Sequence, residues 1–304
     1  AYNHEKYISR AIESFLMQET NFKFEVVIHD DASTDNTALI IKKYAEKYPD
    51  IIKPIFETEN QYSKHDGSLR RIVDSKLRGE YIALCEGDDY WIDTHKFQEQ
   101  VDYLENNSDV SFSFHNAIVV WENGKQVSDH FLPEGELIDH IWKPQTREYT
   151  TEEVILQGFI PTASMLMRAE CYFTREDFCE NPICGDLPMR LSMALKGKGY
   201  YINQCMSAYR TGNPNSMAGD ASGSFEKKWD TVMGQERILK GFDEFSNYVY
   251  HDAIEEAINR RKLRALLSSP DTKAIKNNGL DKLFDSEVTT RRKVKYFLFS
   301  HFSW

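Results

Sequence analysis

The sequence predicts an α/β protein with a mostly parallel sheet, flanking helices and a helical region at its C-terminal end. Over roughly the first two thirds of the chain, short apolar runs alternate with amphipathic stretches, as in strands joined by crossover helices. After residue 225 the apolar residues follow helical spacing, and no strand-like run occurs as far as residue 268. The content of 41% hydrophobic and 28% charged residues is that of a globular protein, so extensive disorder and fibrous structure are excluded.

The first element is an amphipathic helix over residues 5–18. Its apolar residues Ile8, Ile12, Phe15 and Leu16 fall on one stripe, which is the face expected to pack inward. A helix this early in an α/β chain usually follows a strand, so we expect the given sequence to lack its first strand.

A buried strand over residues 24–30 follows, and it ends in acids. Residues 31–48 begin with capping side chains and continue as a helix that is expected to turn Leu39, Ile41 and Tyr44, together with Ile40, inward. The further strands are predicted at 51–57, 80–86, 110–121 and 199–210, and the further helices at 68–77, 94–107 and 186–198, with a short helix and a strand within 154–168.

The C-terminal part of the chain is predicted to be helical. Apolar side chains recur there at helical spacing, namely Trp229, Val232, Met233, Ile238, Leu239 and Phe242. We therefore divide the chain into a domain over 1–221 and a helical region over 222–304.

Charge and cysteine content exclude several classes of function. The 37 basic and 48 acidic residues give a net charge of −11, which argues against nucleic acid as a partner because phosphate neutralisation needs a basic face. No apolar stretch reaches the ~18 residues of a membrane span. The five cysteines are an odd number without a CxxC pair, so a disulfide framework and a structural zinc site are not expected and a reducing cytosol is favoured.

Two predicted strands end in acidic clusters, His29-Asp30-Asp31 and Glu86-Gly87-Asp88-Asp89. Ligands of parallel α/β sheets bind beyond the carboxyl ends of the strands, so both clusters are expected at one edge. Carboxylates that lie close together repel one another, and oxygen ligands favour Mg²⁺ or Mn²⁺ over Zn²⁺. The alternative is that these acids cap helices or lie in solvated loops. Phosphate-binding loops of the GxxxxGK[ST] or GxGxxG type are absent, so the usual NTPase and dinucleotide interpretations lack support.

Four stretches resemble, in order and spacing, the family 2 glycosyltransferases of the GT-A fold. They are AYN at 1–3, HDDASTDNT at 29–37, GEYIALCEGDD at 79–89 and GDLPMRLSMALKGKGYYI at 185–202. The resemblance covers roughly residues 1–215. It implies a Rossmann-like, mostly parallel sheet and an inverting transfer of one sugar from a nucleotide-sugar donor, with UDP as the expected nucleotide.

The resemblance also implies roles for the donor-binding residues. Tyr2 resembles the aromatic residue that packs on the base, and Asp31 the acid that accepts a hydrogen bond from the uracil imide. Arg70 lies where the family often has an arginine near the base and phosphates, although Arg71 next to it leaves that assignment open. Asp88 resembles the acid that contacts the ribose and the metal.

Asp89 resembles the direct ligand of a Mn²⁺ or Mg²⁺ ion that holds the donor diphosphate, and Asp186 the general base that takes the proton of the acceptor hydroxyl. Asp186 could also be the N-cap of the helix that starts there. The glycine before it, Gly185, is expected to allow a sharp turn. The segment MSAYRTGNPNSMAG resembles YRxHxxS without its histidine, which leaves a metal contact there open. No QxxRW motif of processive synthases occurs, so transfer of a single sugar is favoured.

The predicted function is therefore a metal-dependent glycosyltransferase of surface-glycan synthesis whose acceptor is a sugar or a lipid-linked glycan. The alternatives are a non-catalytic sugar-nucleotide binder and a metal-dependent nucleotidyltransferase. Loops at 121–150 and 203–224 are expected to select donor sugar and acceptor.

The end of the chain, 288–304, combines basic residues with aromatic ones that include Phe302 and Trp304. It is expected either to pack on the catalytic domain or to contact an anionic membrane. The expected location is the cytoplasm, with contact to the inner face of the membrane.

Overall fold

A computed structural model describes residues 1–131, 145–180, 182–212, 224–269, 271 and 273–301. The strands are β1 (Val26–Asp30), β2 (Ile52–Phe56), β3 (Tyr81–Ala83), β4 (Tyr90–Trp91), β5 (Val110–Trp121), β6 (Gln126–Ser128), β7 (Arg147–Tyr149), β8 (Leu166–Arg168) and β9 (Lys198–Thr211). The helices are α1 (Ile8–Leu16), α2 (Thr37–Lys47), α3 (Ser68–Asp74), α4 (Lys96–Asn106), α5 (Thr151–Leu156), α6 (Ala169–Phe173), α7 (Asp186–Lys196), α8 (Phe225–Phe245), α9 (His251–Leu266), α10 (Ala274–Asn277), α11 (Asp281–Glu287) and α12 (Thr290–His301).

The strands form two sheets. β1 and β2 pair in parallel, and the larger sheet has the order β3-β8-β5-β9-β4, with β6 on β5 and β7 on β9. The α/β class is confirmed. The expectation of a mostly parallel sheet is not met among the described strands, because β5 and β9 are the only parallel pair of the larger sheet. Strand-like spacing predicts that a segment is extended, but it does not identify the partner.

The core of the α/β part lies on both faces of the sheets. The predicted stripe of α1 is confirmed, since Ile8, Ile12 and Phe15 are buried against β1, β2 and α4. One inward assignment in α2 is wrong: Leu39 is 50% exposed, whereas Ile41 is fully buried. Leu39 lies two residues before Ile41, which is about 200° around the helix, so the two cannot share a face.

The helices after residue 224 pack on the α/β part. Leu187 and Leu191 of α7 and Ile155 of α5 share one apolar cluster with Phe242 of α8 and Ile254 of α9. The predicted helical character of this region is confirmed. The division at 221/222 stays a prediction, because the boundary lies outside the described residues. Residues 132–144 and 213–223 of the two loops expected to select the substrates also lie outside them, as do residues 302–304 of the C-terminal segment.

Among the described helices, none combines the length and the apolar character needed to cross a bilayer.

Candidate active site

The segment from Glu86 to Asp89 joins β3 to β4 and forms part of the wall of a large cavity. The cavity has a volume of about 2710 Å³ and receives the side chains of Glu86, Asp88 and Asp89. That volume exceeds the ~300–1,000 Å³ of an ordinary small-ligand site. The cavity therefore has room for two substrates at once.

The carboxylates of this segment are crowded. Burial, followed by repulsion from Glu86 and Asp88, raises the pKa of Asp89 well above its usual range. Burial also raises the pKa of Glu86 to about 7. Protein surrounds the Glu86 side chain, but the side chain stays accessible to solvent because it lines the open cavity. A cation bound here would relieve this repulsion.

The donor set fits a hard divalent cation, since it consists of carboxylate oxygens. Within the described residues, however, no group of three or more His, Cys, Asp or Glu side chains is arranged to hold a metal by itself. The chain would therefore supply one or two ligands, and a bound phosphate ligand would have to supply others.

Asp186 lies in the same cavity as the acidic segment, almost 100 residues later in the chain. It is the first residue of α7, where the helix dipole stabilises an anion. Gly185, and not Asp186, occupies the N-cap position, and no side chain caps this helix. Gly185 has φ −89° and ψ −25°, an ordinary helical conformation, so the expected sharp turn does not occur.

Arg70 also lines this cavity, as does Arg71. The Arg70 guanidinium donates a hydrogen bond of 2.8 Å to Asp177 and lies 3.6 Å from the Asp74 carboxylate. Arg70 is thus already ion-paired, and a phosphate ligand would have to share it with these acids. Arg71 lies 4.0 Å from the Asp66 carboxylate, so both arginines line the cavity with an acid beside them.

Asp31 lies behind the cavity wall. Its buried carboxylate accepts hydrogen bonds from the backbone N–H groups of Gln61 (2.6 Å) and Tyr62 (3.0 Å), two residues that line the cavity. Each carboxylate oxygen has a second lone pair, so the acid could accept a further bond from a base. Neither Asp30 nor Asp31 caps the following helix α2, whose N-cap residue is Asn36 and which has no side-chain cap. Asp30 instead accepts a 2.6 Å hydrogen bond from the Ser33 hydroxyl in the loop before the helix.

Tyr2 is exposed and does not contribute to the cavity wall. The residues around it nevertheless connect the two acidic segments. The Asp31 N–H donates to the Ala1 carbonyl at 2.9 Å. Gly87 packs closely on the same segment, since a Cβ added to it would lie 3.3 Å from Ala1 Cβ and 2.6 Å from His4 Nδ1. The structure therefore brings both acidic clusters close together beside residues 1–4, although the strands that precede them, β1 and β3, belong to different sheets and not to one as expected. Only the second cluster lines the cavity.

The sequence reasoning missed Arg210, which fixes the acidic segment. Its backbone N–H donates to Asp89 Oδ1 (2.7 Å), and its Nε donates to the Asp88 carbonyl (2.8 Å). Its Nη1 donates to the carbonyls of Trp121 (3.2 Å) and Glu122 (2.9 Å). Arg210 belongs to the YR pair of the segment that resembles YRxHxxS, so a signal was present in the sequence.

Tyr209, the other residue of this pair, was missed as well. It lines the cavity, and its ring packs against Phe131 (centroids 4.7 Å apart) and Phe159 (5.8 Å apart). Burial and the negative charges of the nearby carboxylates, Asp89 foremost, raise the pKa of its hydroxyl. An aromatic wall thus lies beside the acidic segment.

Comparison with known proteins gives matches over most of the chain. The sequence model described as "Glycosyl transferase family 2" matches residues 1–173. An uncharacterized protein of Mycobacterium tuberculosis is 35% identical over 210 residues, which are 69% of this chain and 56% of that protein. The chain therefore spans little more than half the length of this relative.

A relative of more specific name is the Escherichia coli UDP-Glc:alpha-D-GlcNAc-diphosphoundecaprenol beta-1,3-glucosyltransferase WfaP. It is 36% identical over 119 residues, which are 39% of this chain and 44% of WfaP. Among solved structures, Staphylococcus aureus TarS 1-349 in complex with UDP superimposes with a TM-score of 0.54 at 15% identity, covering 88% of each chain. At that identity the likeness shows a shared fold.

Proposed function

The chain belongs to glycosyl transferase family 2 and has the GT-A fold, and from this premise we propose that it transfers one sugar from a UDP-linked donor to a hydroxyl group, with inversion. The observation that carries the proposal is the meeting of Asp88, Asp89 and Asp186 in one cavity. These acids come from distant parts of the chain. If these acids only capped helices or lay in solvated loops, nothing would require them to line the same cavity.

In the proposed reaction Asp186 takes the proton of the acceptor hydroxyl. The oxygen of this hydroxyl attacks the anomeric carbon of the donor from the side opposite the diphosphate, and the bond from that carbon to the diphosphate oxygen breaks. The electron pair of that bond leaves with UDP. General-base assistance of this kind contributes ~10²–10⁴ in rate. A single displacement at the anomeric carbon inverts its configuration.

Asp89 and Asp88 are the residues proposed to hold a Mn²⁺ or Mg²⁺ ion together with the donor diphosphate. The crowded carboxylates support this assignment, because burial and the neighbouring Glu86 and Asp88 disfavour ionisation of Asp89, and a cation would offset this effect. Such an ion, when bound, offsets the charge that develops on the leaving diphosphate. Arg210 holds the backbone and side chain of this segment in position.

The proposed nucleoside site lies where Asp31 contacts Gln61 and Tyr62. Asp31 would accept the hydrogen bond of the uracil imide, Tyr2 would pack on the base, and Arg70 would contact the phosphates. The UDP bound to TarS and the UDP-sugar in the name of WfaP support this choice of nucleotide. The name of WfaP also supports a role in surface-glycan synthesis with a sugar or lipid-linked glycan as acceptor.

A thermal-shift panel of UDP-, GDP- and dTDP-sugars, each with and without Mn²⁺, tests the proposal. A ligand present at 100 times its Kd stabilises a protein by ~2.7 kcal/mol. We expect this stabilisation from a UDP-sugar with Mn²⁺, followed by UDP release when acceptors are added. Stabilisation by NTPs but not by UDP would favour a nucleotidyltransferase, and UDP binding without turnover on a broad acceptor panel would favour a sugar-nucleotide binder.

Residues 288–304 are proposed to contact an anionic membrane from the cytoplasmic side. In α12, Tyr296 packs on Phe284 (centroids 5.6 Å apart), while Val294 and Phe297 are exposed beside the exposed Arg291. One face of the helix thus packs on the protein while another presents apolar and basic groups. We expect weak sedimentation with anionic liposomes that salt abolishes. Equal sedimentation after removal of 288–304 would refute the contact.

A further inference from the structure

Tyr209 has a fixed position beside the acidic segment. The residue before it on β9, Ala208, pairs with Tyr90, which directly follows Asp89 in the chain. The residue after it, Arg210, donates its backbone N–H to Asp89 Oδ1 at 2.7 Å. Both neighbours of Tyr209 are thus bonded to the end of the acidic segment or to the strand that follows it, so the sheet sets the position of Tyr209 relative to Asp89.

The ring of Tyr209 is held by two other aromatic rings. It packs edge-to-face on Phe131 (centroids 4.7 Å apart) and on Phe159 (5.8 Å apart), each at an interplanar angle of 67°. Phe131 and Phe159 also contact each other, with centroids 5.1 Å apart. All three rings line the cavity and form its aromatic wall. A ligand that binds Tyr209 therefore meets a side chain whose conformation is already set, which lowers the entropic cost of the contact.

The hydroxyl of Tyr209 is available to a ligand in the cavity. None of the described residues hydrogen-bonds to it. Tyrosine hydroxyls that are withdrawn from bulk water usually have a partner. The side chain of Tyr209 is only partly buried and lines the cavity, so a ligand there can supply that partner.

Carboxylates from both parts of the proposed active site act on this hydroxyl. Burial is the largest cause of its raised pKa, and the negative charges of Asp89, Glu86, Asp88 and Asp186 add to it, in that order. The hydroxyl therefore keeps its proton and acts as a donor. Because Asp186 acts on it as well as Asp89, Tyr209 lies near the proposed base and near the acidic segment at once.

A group close to both of these acids lies alongside the sugar that is transferred. In the proposed displacement, the attacking oxygen and the leaving diphosphate oxygen lie on opposite sides of the anomeric carbon. Asp186 is proposed to hold the first, and Asp88 and Asp89, together with a cation, the second. The ring that carries the anomeric carbon must therefore lie between these acids, where Tyr209 forms part of the wall.

We propose that Tyr209 contacts the transferred sugar: its hydroxyl donates a hydrogen bond to a hydroxyl oxygen of that sugar and so helps to select it. This inference rests on the proposed glycosyltransferase function. A sugar hydroxyl suits this place because it carries no charge, whereas the nearby carboxylates would repel a phosphate oxygen there. The aromatic wall adds an apolar surface for the C–H groups of the sugar ring.

Calorimetry on the full chain with Mn²⁺ tests the contact, with UDP, UDP-glucose, UDP-galactose and UDP-N-acetylglucosamine as probes. Tyr209→Phe removes the hydroxyl and keeps the ring. We expect it to weaken binding of the UDP-sugar that the wild-type chain binds most tightly by about three- to tenfold, as the loss of one hydrogen bond predicts. The affinity for UDP, whose diphosphate carries no transferable sugar, should stay the same.

Tyr172→Phe is the matched control. Tyr172 lines the same cavity, but its hydroxyl already donates a 2.9 Å hydrogen bond to Asp74. Any change that this variant causes should apply to UDP and to the UDP-sugar by the same factor. The ratio of the two affinities therefore reports contact with the sugar and not a general disturbance of the cavity.

An equal loss of UDP and UDP-sugar affinity in Tyr209→Phe would overturn the inference, because the hydroxyl would then serve the diphosphate or the fold. Unchanged affinity for all four probes would overturn it as well. Failure of the wild-type chain to bind UDP would instead contradict the proposed function, so the two proposals can fail separately.

Discussion

Asp89 and Asp186 line one cavity but serve different steps of the proposed reaction, so the same substitution separates them. Asn keeps the size of Asp but neither carries a negative charge nor accepts a proton. We expect Asp186→Asn to lower transfer by at least ~10² while UDP and Mn²⁺ affinities stay nearly unchanged. Asp89→Asn should abolish Mn²⁺-dependent UDP binding. Calorimetry and initial rates on both variants give the comparison.

The Asn substitution at 186 also separates chemistry from helix capping. Asn caps a helix about as well as Asp, and Gly185 occupies the N-cap position in any case, so the fold should tolerate the change. Turnover near the wild-type level would therefore remove Asp186 from the mechanism. Unchanged Mn²⁺ affinity in Asp89→Asn would remove the metal assignment.

The sequence was informative about individual residues where a motif was compact. Asp88, Asp89 and Asp186 were identified from it, and all three reach the cavity. Arg210 was missed because its importance comes from hydrogen bonds to residues about 90 and 120 positions earlier, which spacing along the chain does not reveal.

Helix α8 packs unusually close to the segment before α7. A Cβ at Gly241 would overlap the carbonyl oxygen of Phe178, a backbone atom that cannot rotate away. Replacing glycine by alanine inside a helix normally stabilises it by ~1 kcal/mol. We expect the opposite sign for Gly241→Ala, a loss of about 1–3 kcal/mol in the free energy of unfolding, because overpacking outweighs helix propensity. Urea denaturation measures the change.

Gly234→Ala is the matched control on the same helix. A Cβ there would lie 2.7–2.9 Å from side-chain atoms of Ile183, a less severe overlap than the closer approach to a backbone oxygen at Gly241, so the loss should be smaller than at Gly241. An increase in stability for Gly241→Ala would show that α8 does not pack as closely on residue 178 as the structure indicates.

At the level of elements, periodicity predicted most helices and strands but not their pairing. The strand predicted over 80–86 is confirmed only as Tyr81–Ala83, because the residues after it leave the sheet to enter the cavity. Its partner is β8, which is antiparallel and more than 80 residues away. An apolar run in the sequence indicates that a segment is buried. It does not indicate which strand pairs with it, because strand order depends on contacts between residues that are far apart in the chain.

The stability of the whole molecule should depend on pH through a lysine inside it. Lys96 is fully buried, and its Nζ donates a 2.7 Å hydrogen bond to Gln100 and lies 4.5 Å from the centre of the Trp91 ring. Burial lowers its pKa to about 7, and Cys85 is the nearby group that acts against this shift. An amphipathic pattern alone would have placed this residue at the surface.

The sign of the pH effect follows from proton binding. In the unfolded chain a lysine has a pKa of ~10.4, whereas in the folded protein the Lys96 pKa is about 7. Between these values the unfolded chain binds one more proton, so the contribution of Lys96 to stability increases with pH by ~1.4 kcal/mol per unit. Below about pH 7 both states bind the proton, and this dependence disappears.

Lys96→Met should remove this dependence. We expect the stability difference between Lys96→Met and wild type to shift in favour of the wild type by ~1.4 kcal/mol for each pH unit from 8 to 10, measured by urea denaturation. Loss of the hydrogen bond to Gln100 adds a constant and leaves this slope unchanged. Lys43→Met, at an exposed position, should show no comparable slope relative to wild type. A flat difference for Lys96→Met would mean that Lys96 keeps its proton when buried, with an anionic group close enough to hold it.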